Sequence, residues 1–278
     1  MVIKLKIKEP SPLGDGFFYT FNLNIFLVKK TAFITGATSG IGRATAEIFA
    51  KNNINLVLCG RRLDRLVVLQ KELQKFTEVH VLNFDVSDKN SVFIAIDSLP
   101  REFQTIDILI NNAGNAHGLH PIDKGDTDDW EAMIDINIKG LLFVTKAISP
   151  RMVKRKMGQI INIGSISAKE VYEGGNVYCA TKHAVDALNK GMRMDLNKYG
   201  IRVSAIHPGL VDTEFSRVRF KGDVARADNV YKGFEALKAH DIADLIHFVV
   251  TRPYYVNISD VLILPNAQAS GTQIYKEL

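Results

Sequence analysis

The decisive stretch is Thr31-Ala32-Phe33-Ile34-Thr35-Gly36-Ala37-Thr38-Ser39-Gly40-Ile41-Gly42. Its first five residues are apolar or β-branched, as a short strand buried on both faces requires. Three glycines follow, separated by three residues and then by one. From Ile41 the pattern turns helical and runs to residue 51. Strand, glycine turn and helix in this order make a cradle for phosphate. Glycine permits a tight turn and close approach of the backbone, and the helix N-terminus offers unpaired N–H groups and the positive end of its dipole. A glycine-rich turn alone is ordinary turn chemistry, and the flanking strand and helix are what give it meaning. Gly36, Thr38, Ser39, Gly40, Ile41 and Gly42 are therefore the candidate dinucleotide contacts. The spacing is not G-x-G-x-x-G.

Outward from this turn the same alternation repeats. Short apolar runs at 31–35, 55–59, 79–82, 106–110, 159–163, 202–206 and 261–264 read as strands. Helical patterns lie between them at 41–51, 63–76, 89–99, 128–156, 176–198 and 241–251. Strands joined by helical crossovers predict an α/β fold: a Rossmann-type, doubly wound parallel sheet of about seven strands in a single domain, 29–278. Residues 1–28 follow neither pattern and read as an extension outside that core.

Composition narrows the function. The chain has 278 residues, 46% hydrophobic and 23% charged, which excludes collagen-like, coiled-coil and disordered classes. No run of 18 apolar residues is present, so no membrane span is expected. Cys59 and Cys179 are too few for a disulfide framework, and a reduced, cytoplasmic setting is expected. The net charge is +5, with basic and acidic residues interleaved, so nucleic acid is not an expected partner. The histidines and cysteines show no metal-ligand spacing, and no metal is expected.

Further chemistry sits at the ends of the later strands. The second strand ends in Cys59-Gly60-Arg61-Arg62, with no acid for a ribose 2′-hydroxyl. Two arginines suit a 2′-phosphate through charge-assisted bonds, so NADP is the expected cofactor. Asp85-Val86, after the third strand, is placed to meet the adenine; for Asp85 a strand-end cap is the plain alternative. Asn111-Asn112-Ala113-Gly114 follows the fourth strand, and Asn112 reads as a tie between loops near the cofactor or as a simple Asx turn. Tyr178 and Lys182 are four apart on one helix and share a face. Ser165 lies just past the fifth strand, at the sheet edge where ligands bind, and Asn137 lies within the helical pattern 128–156. Tyr-x-x-x-Lys alone carries little; joined to the glycine turn, Asn112, Asn137 and Ser165 it becomes specific.

From about residue 29 onward the chain resembles the short-chain dehydrogenase/reductase family, through TGATSGIG, NNAG, the Asn of DINIKG, the Ser of IGSIS, YCATK and HPGLVDTEF. The resemblance implies Asn137, Ser165, Tyr178 and Lys182 as a catalytic tetrad, with Val211 among the cofactor contacts. A narrower likeness, in GGNVYCATK and PGLVDTEFSRVRFKGD, is to the branch of NADP-dependent 3-hydroxy acid dehydrogenases. It implies a small hydroxy acid substrate, held by Ser165, Tyr178 and Arg219, and a homotetramer. The charged span 210–231 reads as a lid. The alternatives are a general NADPH-dependent carbonyl reductase and a non-catalytic NADP-binding regulator. In the dehydrogenase reading Tyr178 is the base. Lowering a tyrosine from about 10 into the working range takes about 3–4 kcal/mol. A cation about 4 Å away at an effective dielectric near 20 supplies about 4 kcal/mol, so Lys182, together with the positive charge of the oxidised nicotinamide, is expected to depress it.

Overall fold

The structure, a computed structural model, describes residues 29–277. The extension read at 1–28 lies outside the described residues. Nine strands are present among them: β1 (Thr31–Thr35), β2 (Asn55–Gly60), β3 (Val79–Asn83), β4 (Ile108–Asn111), β5 (Gly158–Ile163), β6 (Ile201–Pro208), β7 (Val211–Asp212), β8 (Leu237–Lys238) and β9 (Asp260–Ile263). Seven of them form one parallel sheet in the order β3-β2-β1-β4-β5-β6-β9. The chain first builds outward from β1 to β3, then returns to lay β4 on the other side of β1. That reversal opens a crevice above the carboxyl ends of β1 and β4, where ligands of such sheets bind.

Each buried strand feeds two cores, because alternate side chains point to opposite faces. Ala32 and Ile34 pack with Phe49 of α1 (Gly40–Lys51), Leu66 and Leu69 of α2 (Leu63–Leu73), and Ile242 and Ile246 of the last helix (Ala239–Val250). Phe33 packs the other way, with Val92 and Ile96 of α3 (Lys89–Asp97) and with Val144, Ile148 and Met152.

The pattern 128–156 is not one helix. It divides into α4 (Thr127–Ile134), a π-helical turn (Asp135–Gly140) and α5 (Leu141–Arg155). Asp126 caps α4 by accepting the Asp128 N–H. The π turn brings Gly140 against Val86, where a Cβ would stand 2.8 Å from Val86 Cγ2. It also turns Asn137 into the interior. The helix expected at 63–76 ends at Leu73, and α6 spans Asn176–Leu196. The span expected as a lid is folded: β7 pairs with β8, and two short helices, α7 (Phe215–Arg219) and α8 (Val224–Asn229), lie between them. The last helix is α9.

Candidate active site

A cavity of about 460 Å³ fills the crevice, from the glycine turn at one end to Arg219 at the other. At the first end Gly36 has φ +64°, a conformation that favours glycine. Gly42 packs so closely that a Cβ would stand 2.4 Å from the Gly36 carbonyl oxygen. Ser39 precedes α1 without capping it through its side chain, so the N–H groups of the first turn keep their capacity for an anion. Asn112 ties this turn to β4: its Nδ2 donates to the carbonyls of Thr35 (2.9 Å) and Gly36 (3.2 Å), and its backbone N–H donates to Thr35 Oγ1. The structure thus places Asn112 as the loop tie.

Arg62 reaches back over the turn. Its Nη2 donates to Thr38 Oγ1 and Ser39 Oγ, both at 2.8 Å, and its Nη1 donates to Glu214 Oε2 at 2.9 Å. Arg65 takes the other oxygen of Glu214. Burial pushes Glu214 up, but the hydrogen bonds and charges of these two arginines hold it below the usual carboxylate range. Arg61 is exposed and pairs with Asp85 at 3.4 Å. Asp85 also accepts from the Ser87 N–H and hydroxyl, so it is the strand-end cap while still lining the cavity with Val86. Val211 lines it from the opposite lip.

Ser165, Tyr178 and Lys182 line the middle of the cavity and are nearly fully buried. Ser165 stands at the end of β5; its Oγ accepts from Ser167 N–H and donates to Ser167 Oγ. Lys182 Nζ lies 5.9 Å from the centre of the Tyr178 ring and donates to the Ile163 carbonyl at 3.0 Å. Asn137 does not line the cavity. Its Nδ2 donates to the Asn115 carbonyl and Thr181 Oγ1, and its Oδ1 accepts the Asn115 N–H. Gly114 packs between Asn137 and Lys182, so the four residues cluster.

Without the nicotinamide charge, the protein's own groups raise Tyr178. Burial, reinforced by Tyr172, pushes its hydroxyl above the ordinary tyrosine value; Arg219 and Ser165 pull it only part of the way back. Burial lowers Lys182 from 10.5 to about 8. Lys182 is itself desolvated and bonded to a carbonyl, so within the chain it does not offset the cost of a buried phenolate.

Arg219, expected as a substrate contact, lines the far end of the cavity. Its guanidinium lies 4.8 Å from the Tyr178 ring centre and 5.6 Å from those of Tyr172 and Phe215. It donates to the Tyr172 hydroxyl, while its buried Nε has no partner among the described residues. Glu214, Arg65, Tyr172 and Phe215 were missed as site residues. For Arg65 the signal was available, since it lies one helical turn after Arg62. Glu214 and Phe215 lie within HPGLVDTEF, where nothing local marks them as site residues. Tyr172 had no local signal.

Switch-point crevice and glycine cradle, with a buried tyrosine and lysine beside them, define the class: a dinucleotide-binding α/β protein. The short chain dehydrogenase family profile matches residues 30–223, and the chain belongs to that family. It is 43% identical over 251 residues to an NADP-dependent 3-hydroxy acid dehydrogenase of Schizosaccharomyces pombe, covering 89% of this chain and 97% of that relative. It is 42% identical over 251 residues to a serine 3-dehydrogenase of Rhizobium radiobacter, covering 90% and 100%. Among solved structures, the closed form of serine dehydrogenase complexed with NADP+ matches with a TM-score of 0.84 at 40% identity, covering 89% of this chain and all of that one. No helix of the described residues is long and apolar enough to cross a membrane.

Proposed function

We propose that this protein is an NADP-dependent dehydrogenase that oxidises the 3-hydroxyl of a small 3-hydroxy acid. NADP fits the residues present. The α1 N-terminus and glycine turn suit the pyrophosphate, Arg61 and Arg62 suit the 2′-phosphate, and the relatives described above are NADP enzymes. When bound, the nicotinamide supplies a hydride acceptor at C4. Tyr178 takes the hydroxyl proton at its Oη. Ser165 holds the substrate oxygen and donates to it as its charge changes. Lys182 holds the ribose hydroxyls and keeps positive charge near Tyr178. Asn137 anchors the Asn115 segment against α6 and so fixes Lys182. Burial raises Tyr178 in the protein alone, and the positive charge of the oxidised nicotinamide, when bound, would add to that of Lys182 in favouring the phenolate.

The observation that carries the substrate class is Arg219. It is a cation over the Tyr178 ring, with a buried donor left over. The cavity's acids, Asp85 and Glu214, are both paired with arginines. A substrate carboxylate on Arg219 brings the 3-position beside Tyr178. NADP reduction with a panel of 3-hydroxy acids and matched neutral alcohols tests this. The acids should be turned over with clearly higher kcat/KM, and parity would reject the class. A cytoplasmic tetramer accompanies this reading: α5 and α6 expose Leu142 and Met194, and light scattering in solution measures the assembly.

A further inference from the structure

A second cluster lies behind Ser165, on the side away from the cavity. His207, on β6, is completely buried. Its ring fills the space beside Gly164, where a Cβ would stand 2.3 Å from Nδ1. Nδ1 lies 3.4 Å from the Ser165 nitrogen and 3.2 Å from the Ser165 carbonyl oxygen. Without a proton this nitrogen accepts the Ser165 N–H; with one it donates to the carbonyl. The other ring nitrogen decides between the two. Nε2 faces Asp260 Oδ2 at 3.4 Å and Asp186 Oδ1 at 3.7 Å, and no donor reaches it among the described residues. A lone pair there would confront two carboxylates, so in the neutral ring the proton belongs on Nε2. Nδ1 is left to accept from Ser165. Lys169 bridges the same carboxylates at 3.0 and 2.9 Å, and Lys190 pairs with Asp186 at 2.7 Å. None of these five residues lines the cavity.

We infer that His207 is a positioning residue: its Nδ1 holds the Ser165 backbone, and with it the hydroxyl beside Tyr178, in place for reaction. The charges of Lys169, Asp186, Asp260 and Lys190, gathered from the segment after β5, from α6 and from β9, keep the ring in the tautomer that does this. The inference rests on Ser165 holding the substrate oxygen, as proposed above.

A pH dependence follows. Burial and then Lys169 hold the imidazole below its ordinary value, against the two carboxylates and Ser165. A second proton turns Nδ1 from acceptor into donor. The Ser165 N–H then loses its partner and its carbonyl gains one, so the end of β5 must rearrange. Activity falls on the acid side with the uptake of one proton.

The test is the pH profile of kcat in the reductive direction, with NADPH and a small 3-oxo acid at saturation. There Tyr178 acts protonated, so its own titration limits only the alkaline side. Lys169→Met removes a cation and should move the acid limb up by about one pH unit; Asp260→Asn should move it down by about as much. Both should keep the plateau above it. His207→Asn, whose Oδ1 replaces Nδ1 and does not titrate, should keep the plateau and lose the limb. Should His207→Asn fail to fold, Lys169→Met and Asp260→Asn, at exposed positions, still decide. An acid limb at the same pH in every variant overturns the inference, as does a ¹⁵N histidine spectrum showing Nδ1 protonated at neutral pH. Ser165→Ala separates the two levels. Near-native turnover in that variant rejects the role of Ser165 itself, whereas an inactive Ser165→Ala with unmoved acid limbs rejects only the role of His207.

Discussion

Replacing Arg219 by alanine should separate substrates by charge. Its guanidinium faces the Tyr178 ring at 4.8 Å and keeps a buried Nε free of protein partners. A charge-assisted hydrogen bond is worth about 1.5–3 kcal/mol, so losing one to a carboxylate should lower kcat/KM for 3-hydroxy acids by about 10- to 150-fold. A neutral secondary alcohol makes no such bond and should lose little. Arg219 also lowers the Tyr178 pKa, so Arg219→Ala moves the alkaline rise of alcohol oxidation to higher pH for every substrate. Comparing both substrates on the alkaline plateau removes that shared effect. The variant gives up stacking on three rings as well, at about 0.5–1 kcal/mol each where exposed, and should melt a few degrees lower. Arg219→Lys keeps the charge without the fork and should fall between. The assay is NADP reduction by a 3-hydroxy acid and a neutral alcohol of equal size. Equal losses for both would refute the carboxylate role of Arg219 and leave it a wall of aromatic stacking.

Tyr178→Phe removes only the hydroxyl; turnover should fall by about 10²- to 10⁴-fold while NADP binding, followed by fluorescence quenching, stays near native. Near-normal oxidation by that variant would exclude Tyr178 as the base. Replacing Arg61 and Arg62 by glutamine should weaken NADP about ten- to a hundredfold per arginine and NAD far less, read by titration with each nucleotide; equal losses would place the 2′-phosphate elsewhere. Lys182 has a folded pKa of about 8 against 10.5, so its charged form opposes folding, fully below pH 8, and the penalty lifts as pH rises towards 10.5. The native chain should therefore gain stability relative to Lys182→Met between about pH 8 and 10, measured by paired denaturant melts. A constant difference across that range would show that burial does not depress this lysine.

Most of the sheet was legible because β1, β2, β4, β5 and β6 are buried on both faces. A run such as Thr31–Thr35 must then be apolar or β-branched throughout, and the glycine turn after it marks where it stops. The split of the pattern 128–156 was not legible. Periodicity sees a continuous helix there, while the π turn is held by Asn137 bonding Asn115, 22 residues away, and by Gly140 meeting Val86. Range also divides the site. Asn112, Ser165, Tyr178 and Lys182 were readable because each sits at an element boundary or on one helix face. The partnership of Arg62 with Glu214 joins residues 152 apart, and that of Arg219 with Tyr172 joins residues 47 apart. Neither spacing leaves a local trace.

The protonation of Tyr178 depends on burial as well as on charge. Charge arithmetic on Tyr178 and Lys182 treats both as solvated groups a few ångströms apart and returns a depressed tyrosine. Burial, which no local pattern of the helix reveals, works against that result by disfavouring the charged form of each partner, so more of the stabilisation falls to the nicotinamide charge. In the proposed mechanism, a tyrosine whose burial disfavours the phenolate gains basicity when the positive charge of the hydride acceptor lies beside it. Proton transfer and hydride transfer are then tied to the same loaded state through electrostatics alone, with no moving part required.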